Sequence, residues 1–293
     1  MTSGHTVYLD YSRNAEGFDI SKLNPSLWAR FEGMADLNMA EAPLSQSPLA
    51  RLKAINAPSV ERLRERGIDL AKGDRIELAP AIQHFQGGVK INTRAEATLP
   101  GLYAAGECAG GQHGANRPGG NALMDSQVMG RIAGVEAARF ASRCDLPEGM
   151  PPGGVEFQAD RGPKVAEVAA EVRNLMSRYA SIKRSVAGTA GALKELRRLA
   201  ASPWNTCSAD ARTVQETRNI VAVAEAVLRA CAARPESRGP HLFFESQSAN
   251  TPLPKQDPEW RKYLVIRRMG AEVTVEPRTP VQADWNELPE ATD

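Results

Sequence analysis

The chain has 293 residues, and its 36 lysines and arginines against 35 aspartates and glutamates leave a formal net charge of +1. This balance argues against electrostatic nucleic-acid binding, and 42% hydrophobic residues suffice for a folded core. No run of about 18 apolar residues predicts a membrane span, and MTSGHTVYLDYSR lacks the pattern of a secretory signal. The four cysteines have no CxxC spacing, so we predict no metal site and a reducing, cytoplasmic setting.

The first region, residues 1 to 83, is predicted to be irregular apart from a short strand and several short helices. VYLDYS at residues 7–12 alternates polar and apolar residues as a strand does. The last helix is expected to begin at Ser59, a favourable N-cap residue, and to end at Gly67. The prolines that interrupt this region are Pro25, Pro43, Pro48 and Pro58.

Residues 84 to 145 carry the densest set of patterns. Residues 89–92 alternate as a short strand, and the small and apolar residues 98–105 predict a buried strand. A glycine-rich loop, residues 110–120, comes next, and the apolar spacing after it predicts a helix over about 122–143. Strands followed by a loop and a helix favour an α/β domain here.

From residue 146 onwards the pattern changes to helices. A proline-rich stretch marks a linker, and three helices follow in which apolar residues recur with a period of about 3.6. Their short connections imply a helical bundle. Two strand-like pieces, 263–266 and 272–276, lie in the tail. The apolar positions of the three helices are Val165, Val168, Val172, Leu175 and Met176; Leu193, Leu196 and Leu199; and Val214, Ile220, Val221, Ala224, Val227, Leu228 and Cys231.

The sequence TLPGLYAAGE, residues 98–107, places a carboxylate at the end of the predicted buried strand. Open α/β sheets bind ligands at that edge, where Glu107 could accept hydrogen bonds from a polyol. The small residues Ala104, Ala105 and Gly106 would let a cofactor approach closely. The alternative interpretation of the same residues is an ordinary buried strand with a capping glutamate.

A loop and a helix start follow at HGANRPGGNAL, residues 113–123. The free N–H groups and the dipole of a helix start favour a negatively charged group. Arg117 could hold a carboxylate there by two parallel hydrogen bonds, or it could form a structural ion pair within a turn. In AIQHFQGGVKIN, residues 81–92, His84 precedes two glycines and a strand, and it is either a structural or a catalytic histidine.

These three patterns, in this order, resemble the flavoprotein subunits of the succinate dehydrogenase, fumarate reductase and L-aspartate oxidase family. In that family a His-x-x-Gly-Gly stretch precedes PGLYAAGE and then HGANRxGGN, and all three occur here within residues 81–123. RGIDLAKGDRIELAPA, MSRYASIKRS, ETRNIVAVAEAVLRA and RPESRGPH extend the resemblance to most of the chain. It implies an α/β plus all-α fold: the end of a capping domain at 1–83, the returning part of a Rossmann-like FAD-binding domain at 84–145, and a helical carboxy-terminal domain at 146–293.

The resemblance implies that FAD is the cofactor and gives roles to four residues. Glu107 would bind the ribityl chain of FAD. Asn121, Ala122 and Leu123 would lie beside the pyrimidine edge of the flavin. The helix start at this point would stabilise the negative charge of the reduced flavin, in agreement with its dipole.

The resemblance further implies that His84 and Arg117 bind the carboxylates of the substrate. Arg117 would also polarise the substrate during hydride transfer, whereas His113 would have a structural role in its loop. Gln86 and Pro118 depart from the family pattern. We therefore expect a carboxylate substrate like succinate, fumarate or aspartate, and the sequence does not distinguish among these three.

Two parts of the family pattern are not found in the sequence: the GxGxxG that binds the FAD pyrophosphate, and the segment with the proton-donating arginine. Half of a dinucleotide fold would expose a sheet edge and an apolar face. We therefore predict one subunit of a split FAD-dependent oxidoreductase. A second polypeptide would supply the missing half of the FAD-binding domain. An electron-transfer partner would exchange electrons with the assembled enzyme. There are two alternatives. The chain could be a non-catalytic interaction or assembly module that is a truncated relic of the family, or it could bind a different anion at residues 113–123.

Overall fold

The structure, a computed structural model, describes residues 6–17, 47–79, 81–145, 161–207, 209–270 and 272–281. The chain divides into two compact units, Met1–Ile82 and Gln83–Asp293. The predicted helix breaks at Pro25 and Pro43 and the predicted linker after residue 146 lie outside the described residues.

The first unit combines a two-stranded sheet with one long helix. Strand β1 (Val7–Leu9) pairs antiparallel with β2 (Ile76–Leu78), which confirms a strand at the start of VYLDYS. Helix α1 (Pro48–Glu65) begins after Ser47, whose side chain accepts a hydrogen bond from the N–H of Ala50. Ser47 and the proline that follows it thus form a normal helix start.

Helix α1 is kinked in its middle, where the sequence predicted the start of a separate helix. Asn56 leaves the helical conformation with φ −151°, and its side-chain oxygen accepts a hydrogen bond from the N–H of Ser59 at 3.2 Å. Asn56 is therefore the cap of the second half, and the predicted N-cap at Ser59 is wrong. Pro58 forces this break because proline cannot donate a backbone hydrogen bond within a helix. Gly67, with φ +83°, follows the end of the helix as predicted.

The second unit begins with two very short parallel strands and a long helix. Strand β3 (Val89–Lys90) pairs with β4 (Ala109–Gly110), and helix α2 spans Asn121–Ala141, close to the predicted bounds. Within the described part of the chain, no residue of α2 is buried by its neighbours. Its apolar side chains that face solvent are Leu123, Met124, Val128, Val135 and Phe140.

The buried strand predicted over residues 98–105 is not present. The chain turns at Pro100 and Gly101, where φ is +81°, and the N–H of Leu102 donates to the carbonyl of Leu99. Only one isolated bridge, between Glu96 and Tyr103, connects this stretch to a neighbouring segment within the described residues. Leu99 and Leu102 are exposed, so this stretch is neither a strand nor buried at its two leucines.

Three helices build the hydrophobic core of the second unit and confirm the predicted bundle. They are α3 (Val165–Tyr179), α4 (Val186–Ala201) and α5 (Ala211–Ala233). Ser185 and Asp210 cap α4 and α5 by accepting backbone hydrogen bonds from Gly188 and Thr213. Their apolar faces meet in a core that contains Val168, Val172, Leu175, Ala192, Leu196, Leu199, Trp204, Val221, Ala224 and Leu228. Cys231 is also buried, as its place on the apolar face predicted.

The tail packs against the bundle through two small sheets. Strand β5 (Arg184–Ser185) pairs in parallel with β6 (Phe243–Phe244). Strands β7 (Tyr263–Met269) and β8 (Glu272–Arg278) confirm the two predicted strand-like pieces, and they pair as an antiparallel hairpin that the sequence pattern did not predict. Arg229 on α5 donates to the carbonyl of Val273 and links the hairpin to the bundle. No helix in the described ranges is long and apolar enough to cross a membrane.

A buried carboxylate, Glu236, holds the segment between α5 and β6. It is completely buried and accepts hydrogen bonds from Arg234, from Arg238 and from the N–H of Gln256 at 2.6 to 3.0 Å. Burial alone would raise the pKa of Glu236, but these hydrogen bonds and charges outweigh it and lower the pKa. Hydrogen bonds from Lys255 and Arg238 likewise lower the pKa of Asp257 to about 2.

Candidate active site

Two glycines bring the His84 segment against the chain that carries Glu107. A Cβ placed on Gly88 would lie 2.3 Å from the carbonyl oxygen of Cys108, and one on Gly110 would lie 2.6 Å from the nitrogen of Gly88. Neither position can hold a side chain without moving a backbone. The glycines are thus the reason that β3 and β4 pair so closely at this point.

The predicted substrate and cofactor segments are joined directly by a hydrogen bond. The backbone N–H of Phe85, next to His84, donates to Oε1 of Glu107 at 2.9 Å. Within the described part of the chain Oε2 of Glu107 accepts no hydrogen bond, so it is available to a hydroxyl group of a ligand. Glu107 is exposed and lies in a short 3-10 turn, Gly106–Cys108, that leads into β4.

His113 connects His84 to helix α2. The rings of His84 and His113 are arranged edge to face with their centroids 5.5 Å apart. Nε2 of His113 lies 3.7 Å from Oδ2 of Asp125, and both side chains are less than 10% exposed. No sequence pattern indicated this pair, because a separation of twelve positions across a loop carries no periodic signal. His113 therefore contacts His84, a predicted substrate-binding residue, as well as helix α2.

Five buried polar side-chain atoms in this region have no hydrogen-bond partner among the described residues. Arg117 donates from Nη1 to the carbonyl of Pro118, but its Nε is among these atoms. Buried polar groups in folded proteins are normally paired, so a group of them indicates a place for a polar ligand. The five atoms are Nδ1 of His84, Oε1 of Gln86, Oε1 of Gln112, Nε2 of His113 and Nε of Arg117. Sequence reasoning had not assigned Gln112 to the site.

The start of helix α2 is open. Gly120 precedes it in the left-handed conformation, with φ +86°, and it has no side chain that could accept a hydrogen bond from the first N–H groups of the helix. The N–H of Asn121 donates to the carbonyl of Pro118 at 3.3 Å, whereas the next N–H groups have no side-chain cap. Ala122 is half-buried, whereas Leu123 is 79% exposed. An uncapped helix start combines free donors with a partial positive charge and so favours an anion.

These residues fit a flavin better than they fit a metal ion. In the described ranges no group of three or more histidine, cysteine, aspartate or glutamate side chains could hold a metal. The open helix start suits an electron-rich ring edge, and the free oxygen of Glu107 suits a polyol. A Cβ placed on Gly106 would lie only 3.0 Å from Oγ of Ser126 on α2, so a glycine at this position lets the turn that carries Glu107 pack closely against the helix.

Comparison with known protein families gives two matches. The model of an FAD binding domain matches residues 39–123, and the model of the fumarate reductase flavoprotein carboxy-terminal domain matches residues 169–289. The first range contains every predicted site residue up to Leu123. The second range contains most of the helical bundle and the hairpin.

Curated proteins and solved structures agree with these matches. The chain is 35% identical over 210 residues to an uncharacterised FAD-dependent oxidoreductase of Methanocaldococcus jannaschii, and 31% identical over 215 residues to a CoM/CoB fumarate reductase chain of Methanothermobacter marburgensis. Both alignments cover 69% of this chain but 38% of the relative. A solved Sdh1 complex of Mycobacterium smegmatis in the apo form is similar with a TM-score of 0.66 and 27% identity, over 96% of this chain and 50% of that chain.

The chain therefore spans between about two fifths and half of the length of these three proteins. The matched ranges cover both the glycine-rich loop and the bundle, and the relatives include an L-aspartate oxidase as well as fumarate reductases. On these grounds the chain belongs to the flavoprotein family of succinate dehydrogenase, fumarate reductase and L-aspartate oxidase.

Proposed function

We propose that this chain forms the substrate and flavin-ring side of an FAD-dependent oxidoreductase that acts on a small carboxylate. The observation that carries the proposal is the group of five unpaired buried polar atoms between His84 and Arg117, next to the open start of α2, among the described residues. Arg117 and His84 would hold the carboxylates of a compound like succinate, fumarate or aspartate. The relatives that are named fumarate reductase and L-aspartate oxidase support this class of substrate.

Each residue of the site would have a distinct task. Arg117 offers a planar set of N–H donors that can bind a carboxylate with two hydrogen bonds, and His84 can donate to a second carboxylate. Glu107 would accept hydrogen bonds from the ribityl hydroxyls of FAD. Asn121, Ala122 and Leu123 would lie beside the flavin ring, where the positive end of the α2 dipole and the N–H groups of Ala122 and Leu123 would stabilise its negative charge. FAD, when bound, would supply the acceptor or donor of a hydride.

We further propose that a second polypeptide supplies the other half of the FAD-binding domain. The sequence has no GxGxxG for the pyrophosphate. Helix α2 has an exposed apolar side with Leu123, Met124 and Val128, which are 79%, 63% and 52% exposed. An apolar surface of this kind beside two short strands favours burial against further sheet structure. The same polypeptide would carry the proton-donating arginine, and a separate electron-transfer partner would exchange electrons with the flavin.

The first experiment is an affinity purification of the chain from its native cells, followed by an absorption spectrum. A stoichiometric second chain with flavin bands near ~450 nm is the expected result. Succinate, fumarate and aspartate are then titrated as candidate substrates. A purified assembly without flavin contradicts the proposal and favours the interaction-module alternative.

A pair of variants tests the site itself. Replacing Arg117 with alanine should lower kcat/KM for the active carboxylate by at least about 30-fold, because losing one partner of a hydrogen-bonded charge pair costs about 2–5 kcal/mol. Arg94→Ala is the matched control, since Arg94 is an exposed arginine outside the glycine-rich loop. Equal activity of the two variants would show that Arg117 does not bind the substrate.

A further inference from the structure

The helical part of the second unit touches the glycine-rich loop at a tight point, the turn formed by residues 238–241. Gly239 in this turn has φ +56°, and a Cβ placed on it would lie 2.4 Å from the carbonyl oxygen of Ala115. Real Cβ atoms do not approach an oxygen so closely, so the two backbones are in direct contact. Ala115 lies two positions before Arg117 in the glycine-rich loop.

The 238–241 turn is held firmly from its own side. Arg238 and His241 exchange backbone hydrogen bonds at 2.9 and 3.1 Å. The guanidinium of Arg238 donates twice to the buried Glu236, and Arg184 donates to the carbonyl of Pro240 at 2.9 Å. The turn is thus fixed to the bundle by charge-assisted hydrogen bonds, which are the stronger kind.

The glycine-rich loop is held at Gln112 and His113 by contacts with Gly106 and Asp125, but around Ala115 its glycines leave the backbone free to change shape. Gly111, Gly114 and Gly120 all have positive φ, a conformation that glycine enters freely and leaves as freely. Ala115 also lines an open surface pocket of about 350 Å³, whose other lining residues belong to the turn and the segments beside it, among them Ser237, Leu242 and Lys255. Because this space is not filled by side chains, the contact with Gly239 is a main restraint on the loop at this position.

We propose that the 238–241 turn is a positioning element for the glycine-rich loop, and that Gly239 is a positioning residue that acts through Ala115 on Arg117. The bundle would thereby set the place from which Arg117 reaches the substrate carboxylate. The effect on substrate rests on the proposed function, whereas the effect on the loop does not.

A matched pair of glycine variants tests this proposal. Gly239→Ala and Gly270→Ala introduce the same methyl group at similar backbone angles, φ +56° and +62°, but a Cβ at Gly270 meets nothing within 4 Å among the described residues. Both variants therefore carry the same strain of a left-handed alanine, and only Gly239→Ala pushes against Ala115. Hydrogen–deuterium exchange with mass spectrometry is the first measurement. Peptides over residues 111–120 should exchange at least about tenfold faster in Gly239→Ala than in Gly270→Ala.

The second measurement is kinetic and uses the flavin-containing assembly. In Gly239→Ala kcat/KM for the carboxylate should fall about 10- to 100-fold through KM, since a displacement of about 1 Å has effects of this size. The flavin absorption spectrum should not change. Unchanged exchange of residues 111–120, or a changed exchange with an unchanged KM, would overturn the positioning role. A faster exchange in Gly239→Ala, combined with a wild-type assembly that shows no carboxylate activity, would instead leave the positioning of the loop intact and refute the proposed function.

Asp257→Asn provides a milder variant if Gly239→Ala does not fold. Asp257 accepts a hydrogen bond from Arg238 at 2.7 Å and is partly exposed, so its loss should loosen the turn without unfolding the bundle. Residues 111–120 should then exchange faster than in the wild type. If residues 111–120 exchange at the wild-type rate in Asp257→Asn, the positioning role is overturned as well.

Discussion

Replacing Glu236 with glutamine keeps the shape of the side chain and removes its negative charge. Glu236 is completely buried, and its two oxygens accept four hydrogen bonds from Arg234, Arg238 and the N–H of Gln256. In the variant one oxygen becomes an NH₂ donor that faces another donor. The two guanidinium groups, only 12% and 16% exposed, lose their common counter-charge. Removing one partner of such a buried pair costs about 3–5 kcal/mol of unfolding free energy.

The assay is thermal and urea unfolding followed by circular dichroism. For a folding unit of this size each kcal/mol shifts Tm by about 2–4 °C, so Glu236→Gln should lower Tm by about 6–20 °C. Glu195→Gln is the matched control, because Glu195 also binds an arginine, Arg198, but on the exposed surface of α4. Solvent screens that pair, and Tm should change little. An equal loss of Tm in the two variants would refute the reasoning.

Two further predictions concern the bundle and its pH dependence. Leu228→Ala should lower the unfolding free energy by about 2–5 kcal/mol, measured by urea unfolding, because Leu228 is completely buried in the core; Val223→Ala on the exposed side of the same helix is the control. Burial and the neighbouring charge of Arg184 lower the pKa of His241 to about 4. The unfolded chain therefore binds this proton near its ordinary pKa of about 6.5 and the folded chain only near 4, so stability should fall as the pH decreases between these values. His241→Gln should flatten that slope, and an unchanged slope would show that another group is responsible.

The helical part of the fold was predictable because its signal is local. Val168 and Val172 recur at the helical period and are buried, as are Leu196 and Leu228 in the next two helices. The strand predicted at residues 98–105 failed for the opposite reason. Its apolar composition satisfied the pattern, but a strand also needs a partner, and no local signal shows whether one is present.

For the candidate site, the sequence indicated residue types but not the contacts between them. Glu107 and Arg117 stood out because each carries a charge beside glycines at the end of a predicted element. The pairing of His113 with Asp125, the link from Phe85 to Glu107, and the contact of a distant turn with Ala115 are all products of tertiary packing. At the kink of α1 the sequence predicted Ser59 as the N-cap, but Asn56, three positions earlier, caps the second half of the helix.

Helix α2 has 21 residues, and within the described part of the chain none of them is buried. A helix in a folded protein owes most of its stability to the packing of one face. Among the described residues, α2 has little packing of this kind. Heating should therefore melt α2 and the bundle in separate steps, so that the calorimetric enthalpy exceeds the van't Hoff enthalpy. If the proposed second polypeptide covers the apolar side of α2, the two steps should merge into one cooperative transition.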